Sequence, residues 1–173
     1  MSGIPDKLVG FHCYDESNTM LGVTDVTIPE LSYMTESIKG AGIAGEIDTP
    51  AIGQLQSMSS TINWRSVTEE NIRLFAPKTY LFTFRGSVQF YDENSGDFVP
   101  KALKVVMKCI PKKGSPGKLD PATGMGTTGD YEVTYLKLSI EGKEMVEIDK
   151  LSYIFRIDGV DYLAKVRTDL GLN

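Results

Sequence analysis

The sequence predicts a mainly β protein with one or two short helices. Three observations predict it: apolar and polar residues alternate over much of the chain, Gly, Asn and Pro lie between the alternating runs, and helical periodicity is confined to two short segments. The chain has 173 residues, enough for one domain with a buried core and few for two. We therefore expect a single domain over residues 1–173.

The strongest strand is predicted at residues 80–91, YLFTFRGSVQFY. One face of this strand is aromatic and apolar, and the other carries Leu81 with four polar residues, Thr83, Arg85, Ser87 and Gln89. Residues 57–64 also alternate, which predicts a second strand with Met58, Ile62 and Trp64 on one face. Similar alternation predicts further strands near residues 20–39 and in three later segments, 101–110, 131–140 and 144–157.

Turn residues separate the predicted strands. The segments ENSG at 93–96 and EGK at 141–143 offer Asn and Gly for the positive φ angles of tight hairpins. Residues 111–129 are rich in Pro, Gly, Lys and Thr and lack apolar periodicity, so we expect a long exposed loop there.

Two short helices are predicted. Ser66 and Glu69 have the spacing of a capping box, and Pro77 would end the helix that follows. The second helix lies near the end of the chain, where Asp161 can cap it and Gly171 can end it. Its apolar stripe consists of Leu163, Val166 and Leu170.

Gly40, Gly42 and Gly45 have the G-x-G-x-x-G spacing of a dinucleotide-binding turn. Such a turn needs a buried strand before it and a helix after it, because the helix N-terminus holds the pyrophosphate. The preceding residues are amphipathic, and Pro50 lies where the helix would run. We therefore expect a glycine-rich loop and not a nucleotide site.

Composition argues against catalysis and against nucleic-acid binding by a basic surface. The net charge is −5 and the pI is about 4.9, whereas such surfaces need clustered Lys and Arg. The single histidine, His12, should point away from its neighbour Cys13, and Cys13 and Cys109 lack metal-site spacing. We predict a non-enzyme with two buried free thiols and with no cofactor or metal. The sequence also lacks a secretory signal and an apolar run long enough to span a membrane, so we expect the chain to remain where it is made.

Three segments, 28–50, 131–149 and 146–172, carry a resemblance to a known family. The last reads VEIDKLSYIFRIDGVDYLAKVRTDLGL. Together they resemble the major tail tube protein of contractile-tailed bacteriophages and R-type pyocin-like tailocins. The resemblance implies two packed antiparallel sheets, sandwich-like or barrel-like.

The resemblance also implies a function in assembly. Such proteins stack as hexameric rings into the inner tube of a tail, within a sheath whose contraction drives the tube through the target envelope. The implied partners are the sheath protein, the tape measure protein, tail initiator and baseplate proteins, and DNA in a phage. The implied location is the virion or tailocin particle, after assembly in the host cytoplasm.

Two groups of residues acquire candidate roles from the resemblance. Residues 40–56 correspond to a loop that contacts the adjacent ring, with contact residues Gly40, Gly42, Ile43, Gly45, Glu46, Ile47, Asp48, Ala51 and Ile52. The polar face of the strand at 80–91 would line the lumen or a subunit interface through Thr83, Arg85, Ser87 and Gln89. The acidic balance of the chain suggests a net negative lumen along which DNA would slide.

Two other functions fit the same sequence. A type VI secretion-like tube protein would share the fold and the ring. A monomeric β-barrel enclosing a ligand would also be acidic and rich in strands. Within the tail-tube interpretation, the subunit would serve a DNA-carrying phage and a headless tailocin equally well.

Overall fold

The computed structural model describes residues 3–172, and for Thr24 the backbone alone. Met1, Ser2 and Asn173 of the expected domain lie outside the described residues. The described part is built of strands with two short helices, which confirms the mainly β prediction. In chain order the elements are β1 (Ile4–Tyr14), β2 (Met20–Leu21), β3 (Val23–Val26), β4 (Tyr33–Lys39), β5 (Glu46–Leu55), β6 (Ser59–Trp64), α1 (Glu69–Arg73), β7 (Tyr80–Tyr91), β8 (Phe98–Ser115), β9 (Thr127–Ile140), β10 (Lys143–Asp149), β11 (Ile154–Ile157), β12 (Val160–Asp161) and α2 (Ala164–Asp169).

Ten of these strands form one antiparallel sheet. Its main path runs β12-β11-β10-β9-β8-β7-β1-β2, while β6 pairs with β9 and β3 pairs with β6. The path does not close into a barrel within residues 3–172. Strands β4 and β5 form a separate two-stranded antiparallel sheet.

Strand β9 organises the large sheet because it changes partner along its length. Its first half pairs with β6 and its second half with β10, while β8 follows it on the other side throughout. The register shifts where Lys108 and Cys109 of β8 pair with Tyr135 and Val133, which leaves Thr134 as the extra residue. Such a bulge bends a strand, and it coincides here with the change of partner.

The core lies inside the curl of this sheet. Phe82 of β7 and Tyr131 of β9 are fully buried, and their ring centroids are 5.5 Å apart although β8 lies between the two strands in the sheet. Ile62 of β6 is also fully buried. The predicted apolar faces of residues 57–64 and 80–91 therefore do form the core.

Helix α1 begins at a different cap from the predicted one. Its N-cap is Thr68, whose hydroxyl accepts a hydrogen bond from the Asn71 backbone N–H at 3.3 Å, while the Asn71 side chain accepts one from the Thr68 N–H at 3.0 Å. The predicted capping box of Ser66 and Glu69 was wrong by two residues. Asn71 is buried and also donates to the Ser66 carbonyl, which explains why an amide is suited to this position.

Helix α2 is anchored by fewer residues than its sequence stripe predicted. Leu163 is buried and Val166 packs against the core, but Leu170 is 54% exposed. Asp161 does not cap the helix end directly; it accepts from the Leu163 N–H at 3.1 Å in the preceding turn. Gly171 has φ of 72°, as expected of a residue that ends a helix.

Strand boundaries were predicted unevenly. Residues 80–91 match β7 at both ends, and the predicted turns at 93–96 and 141–143 are confirmed, with Gly96 and Gly142 at positive φ. Residues 144–157 are two strands separated by a turn. The expected loops were too long, because β8 runs to Ser115, β9 begins at Thr127, and β5 occupies most of 40–56.

Candidate assembly surfaces

The β4–β5 hairpin, residues 33–55, projects from the body and is called the arm below. All seven residues of β4 and the first seven of β5 are exposed. A two-stranded sheet without a buried face is at best marginally stable in water. The arm therefore has the exposure expected of a segment that another molecule covers.

One face of the arm carries an apolar pair beside a carboxylate. Ile38 pairs directly with Ile47, and Glu36 pairs with Thr49 two residues further from the tip. Directly paired residues and residues two apart lie on the same face, so Ile38, Ile47 and Glu36 share one face. Ile38 is 41% exposed and Ile47 is 50% exposed.

The three glycines of the arm tip have a conformational purpose. Gly40, Gly42 and Gly45 have φ of 136°, 87° and 117°, which side-chain-bearing residues rarely adopt. A Cβ at any of the three would meet no atom within 4 Å. Glycine is therefore needed for the turn itself, and the G-x-G-x-x-G spacing arises from the hairpin.

The other candidate contact residues of the arm lie in the turn and in β5. Ile43 is half-buried, and its N–H donates to the Gly40 carbonyl at 3.1 Å. The Glu46 carboxylate accepts a hydrogen bond from the Ser37 hydroxyl on the second face, which Asp48 shares. Ala51 and Ile52 lie in the irregular part of β5 and are exposed, Ile52 by 68%.

The arm joins the body at a close contact. Gly53 has φ of 63°, and a Cβ there would lie 2.7 Å from the buried Leu163 side chain. Leu55 is buried, and the rings of Tyr33 and Phe155 are 5.9 Å apart. The base of the arm is thus fixed against the C-terminal part of the chain.

The second candidate surface is the polar face of β7, formed by Thr83, Arg85, Ser87 and Gln89 and called the outer strand face below. All four point away from the core, since the alternate residues Phe82 and Phe84 are buried. Arg85 is the exposed member and lies over the ring of Tyr14 at 4.9 Å. The Gln89 amide donates to the Asp6 carboxylate at 2.6 Å.

Basic side chains continue the outer strand face onto β8. Register places Lys104 opposite Arg85, and Lys108 lies over the Tyr135 ring at 5.5 Å. A shallow concavity of about 600 Å³ lies over this part of the sheet, with Arg85, Lys104 and Lys137 among its lining residues. The charged residues that line this concavity are basic, which is opposite in sign to the expected net negative lumen.

An ion-pair network ties the last strands to this face. Lys137 lies 3.1 Å from Glu144, and Arg156 lies 3.2 Å from Glu147. The remaining contacts run along the network to α2: Lys137 with Glu147 at 3.8 Å, Arg156 with Glu144 at 3.5 Å and Asp161 at 3.8 Å, and Arg167 with Asp161 at 2.5 Å. Glu144 and Glu147 of β10 are therefore both paired with basic side chains.

The network shifts the pKa values of its acids. The Arg167 hydrogen bond lowers the pKa of Asp161 and outweighs the opposing effect of burial. Burial opposes ionisation of Glu144, but Lys137 and Arg156 together lower its pKa. Burial, assisted by the charge of Glu147, raises the pKa of Tyr135 to about 12, so the phenol keeps its proton and donates a hydrogen bond to the Glu147 carboxylate at 3.3 Å.

The residues considered for nucleophilic chemistry do not meet. His12 is exposed on β1, whereas Cys13 is 1% exposed on the opposite side of the strand. Cys13 and Cys109 are free and buried, as predicted, and burial raises the pKa of each thiol to about 12. Neither thiol is a reactive nucleophile at neutral pH.

Comparison with known proteins resolves what kind of protein carries these surfaces. Residues 5–171 match the family described as phage tail tube protein FII. The chain belongs to this family. The match favours the phage tail group over the type VI secretion tube and the ligand-binding barrel, and it makes the chain a structural protein and not an enzyme.

Individual tail tube proteins agree with this assignment. The chain is 28% identical over 176 residues to the tail tube protein of Escherichia phage P2, covering 98% of this chain and 99% of the relative. It is 25% identical over 171 residues to the major tail tube protein of Serratia phage KSP20, covering 98% of each. Both relatives match the chain essentially end to end.

Solved structures show the same fold at much lower identity. A chain in the PVC sheath/tube terminator of an extracellular contractile injection system, in its extended state, superposes with a TM-score of 0.56 at 13% identity. The match covers 78% of this chain and 96% of that one. A chain of the PVC sheath-tube complex gives a TM-score of 0.50 at 13% identity, with 79% and 90% covered. Within residues 3–172 no helix of this tail tube protein has the length and apolarity to cross a membrane.

Proposed function

We propose that this tail tube protein forms the inner tube of a contractile tail by stacking hexameric rings. On contraction of the surrounding sheath, the tube is driven through the target envelope and serves as a conduit. The observation that carries the proposal is the family match over residues 5–171. We also propose that residues 1–173 act as one tail tube domain.

The exposed arm supports assembly. A hairpin with nearly every side chain in solvent gains stability only when a neighbour covers it. The arm is proposed to make the inter-ring contact through the residues given above, from Gly40 to Ile52. Its isoleucines would supply buried apolar area, and its glycines would set the shape of the tip.

The outer strand face is proposed to line the lumen or an interface between subunits. Its polar residues, Thr83, Arg85, Ser87 and Gln89, suit a water-filled channel, and its opposite side is the core. Because Arg85 lies beside Lys104 here, a net negative lumen would depend on acids elsewhere in the chain.

The proposed partners follow from the same assembly. The sheath protein would surround the tube, and the fold shared with a chain of a PVC sheath-tube complex is compatible with this. The tape measure protein, and DNA in a phage, would occupy the lumen, and tail initiator and baseplate proteins would start the first ring. The particle would assemble in the host cytoplasm and carry the subunit in its tail.

Negative-stain electron microscopy of the concentrated protein, with sedimentation of the same sample, tests the proposal. We expect stacked rings with six subunits, or hollow tubes, in equilibrium with monomer. The expectation arises because many modest contacts repeated along a stack add to a durable polymer. A monomer at every concentration, even with tail initiator proteins added, would contradict the proposal and favour a monomeric module.

A further inference from the structure

An apolar groove lies where the sheet extends past the strands that cover it. Leu8 and Phe11 of β1 and Leu103 of β8 form one side, and Asp25, Val26 and Ile28 form the other. The Asp25 carboxylate accepts a hydrogen bond from the Asn63 amide at 2.6 Å. The groove has a volume of about 200 Å³. It lies on the core side of the sheet, so it is an uncovered continuation of the core.

The groove is open to solvent because its wall residues pack against the core on one side and against none of the described residues on the other. Phe11 and Leu103 pack against the core cluster, yet Leu8 is 47% exposed and Ile28 is 39% exposed. Gly86 forms part of the floor, where a Cβ would lie 3.1 Å from Leu8 and 3.3 Å from the Gly10 carbonyl oxygen. Adjacent exposed apolar residues of this kind mark an interaction surface more often than isolated ones do.

Lys101 lies beside the groove, beyond Leu103 on β8. Lys101 pairs with Val88, two positions from the Leu103–Gly86 pair, so it lies on the same face of the sheet as Leu103. Its ammonium group lies 4.2 Å from the centroid of the Phe90 ring, which keeps it at the apolar surface. The groove therefore presents an apolar recess with Lys101 beside it, while Asp25 in its lining has its carboxylate bound to Asn63.

We propose that this groove receives the arm of a neighbouring copy, with Ile38 and Ile47 in the recess and Glu36 against Lys101. The inference rests on the proposed function, since it names the surface that the arm contacts. The arm face offers two apolar side chains beside one carboxylate, and the groove offers an apolar recess beside one ammonium group. The apolar side chains, and the opposite charges of Glu36 and Lys101, thus match between two surfaces of one chain.

The placement of the two surfaces also accounts for an open stack. Arm and groove are different patches, so each copy gives an arm to one neighbour and receives an arm from another. Such heterologous contacts continue indefinitely unless a rotation closes them. A self-complementary patch would instead stop at a pair of subunits.

Cysteine cross-linking of the assembled protein tests the contact. Ile47→Cys combined with Ile28→Cys should give disulfide-linked multimers when tubes are oxidised, because the two side chains would meet between copies. Cys13 and Cys109 are buried, so the unsubstituted protein should form no disulfide-linked multimers and gives the background level of cross-linking. The matched control is Ile47→Cys with Val160→Cys, since Val160 is more exposed than Ile28, 54% against 39%, and lies outside the groove.

The outcomes separate this inference from the proposed function. Multimers in the Ile28 pair and not in the Val160 pair would support it. Tubes that form normally without cross-links, or with equal cross-links in both pairs, would overturn the groove contact and leave the tube function intact. Absence of tubes in the unsubstituted protein would count against both.

A charge exchange provides a second test that needs no oxidation. Glu36→Lys and Lys101→Glu should each raise the concentration needed for tube formation by roughly fivefold, and the double variant should restore it. Both positions lie at the surface, and matching thermal unfolding of the dilute variants would show that the fold is retained. A double variant that assembles no better than the worse single variant would contradict the pairing.

Discussion

The arm and the β7–β9 region are both antiparallel hairpins of alternating sequence, yet their burial differs completely. In the middle of β7, β8 and β9 alternate side chains are buried, among them Phe82, Met107 and Tyr131, and β8 has hydrogen-bonded partners on both sides. In the arm each strand pairs with one neighbour, and its isoleucines remain in solvent. Alternation alone therefore does not determine whether a hairpin packs within its own subunit or against a neighbouring subunit.

The physical reason is the number of layers. A strand gains most of its free energy when its apolar face packs against a second layer, which β6 and β3 provide for the large sheet. The arm has no such layer within residues 3–172. We infer that the body of the subunit determines its stability and that the arm determines its association.

The largest expected effect is on the free energy of unfolding, and it is tested by an Ile→Ala substitution in the body and another in the arm. Ile62→Ala should lower the free energy of unfolding by about 2–5 kcal/mol, because Ile62 is fully buried and its loss leaves a cavity. Ile47→Ala in the arm should change it by no more than about 0.5 kcal/mol. Urea denaturation of the dilute monomer measures both values.

The same two variants can disprove the proposed difference between the arm and the body. If Ile47→Ala costs as much as Ile62→Ala, the arm is packed within the monomer and the division of roles is wrong. Circular dichroism before denaturation would show that both variants begin from the same fold.

The second effect concerns the junction between the two regions. Gly53→Ala should cost about 2–3 kcal/mol, because the residue has φ of 63° and its new methyl group would press on buried Leu163. Gly10→Ala is the matched control, since no atom lies within 4 Å of a Cβ there and its φ is not positive. Thermal unfolding of the two variants measures the difference, and equal costs would show that the junction is not constrained.

A third and smaller effect tests how the C-terminal segment is held to the body. Arg167 lowers the pKa of Asp161 below its ordinary value of 3.8, so this pair contributes stability above that value and loses it as the pH falls through the lower folded pKa. Asp161→Asn should therefore cost on the order of 1 kcal/mol at pH 7, after allowance for solvent screening, and progressively less below about pH 4.

Urea midpoints at pH 7, 5 and 3 measure this dependence. Asp120→Asn, on the loop between β8 and β9, controls for the loss of one negative charge. A cost for Asp161→Asn that stays constant down to pH 3 would show that the network does not act through ionisation of Asp161.

The sequence predicted those features that depend on local alternation and turn chemistry. It predicted β7 to the residue because six alternate positions are apolar or glycine and a turn follows at 93–96. It predicted a glycine-rich turn at 40–45, but it missed that 46–55 is a strand, since Pro50 and four acidic or polar residues weaken the β signal there.

The surfaces themselves were less predictable because they depend on register between distant segments. Nothing local indicates that Lys104 lies opposite Arg85, or that Glu36 and Ile38 share a face with Ile47. The groove forms where part of the sheet extends past the strands that pack over it. The pattern of a single strand does not encode this arrangement. Register between neighbouring strands was the missing information in each case.

The smallest free energy expected is that for opening the arm in the free subunit. Amides of β4 and β5 should exchange with solvent through local openings that cost roughly 0–1 kcal/mol, whereas those of β8 and β9 should require unfolding close to the global value. In the tube, the arm amides should become protected, because a covered hairpin opens only when its neighbour leaves. Hydrogen exchange measured by mass spectrometry on dilute subunit and on sedimented tubes compares the two states. Equal protection of the arm in both would mean that the arm is already stable alone, and its exposed isoleucines would then need a reason other than assembly.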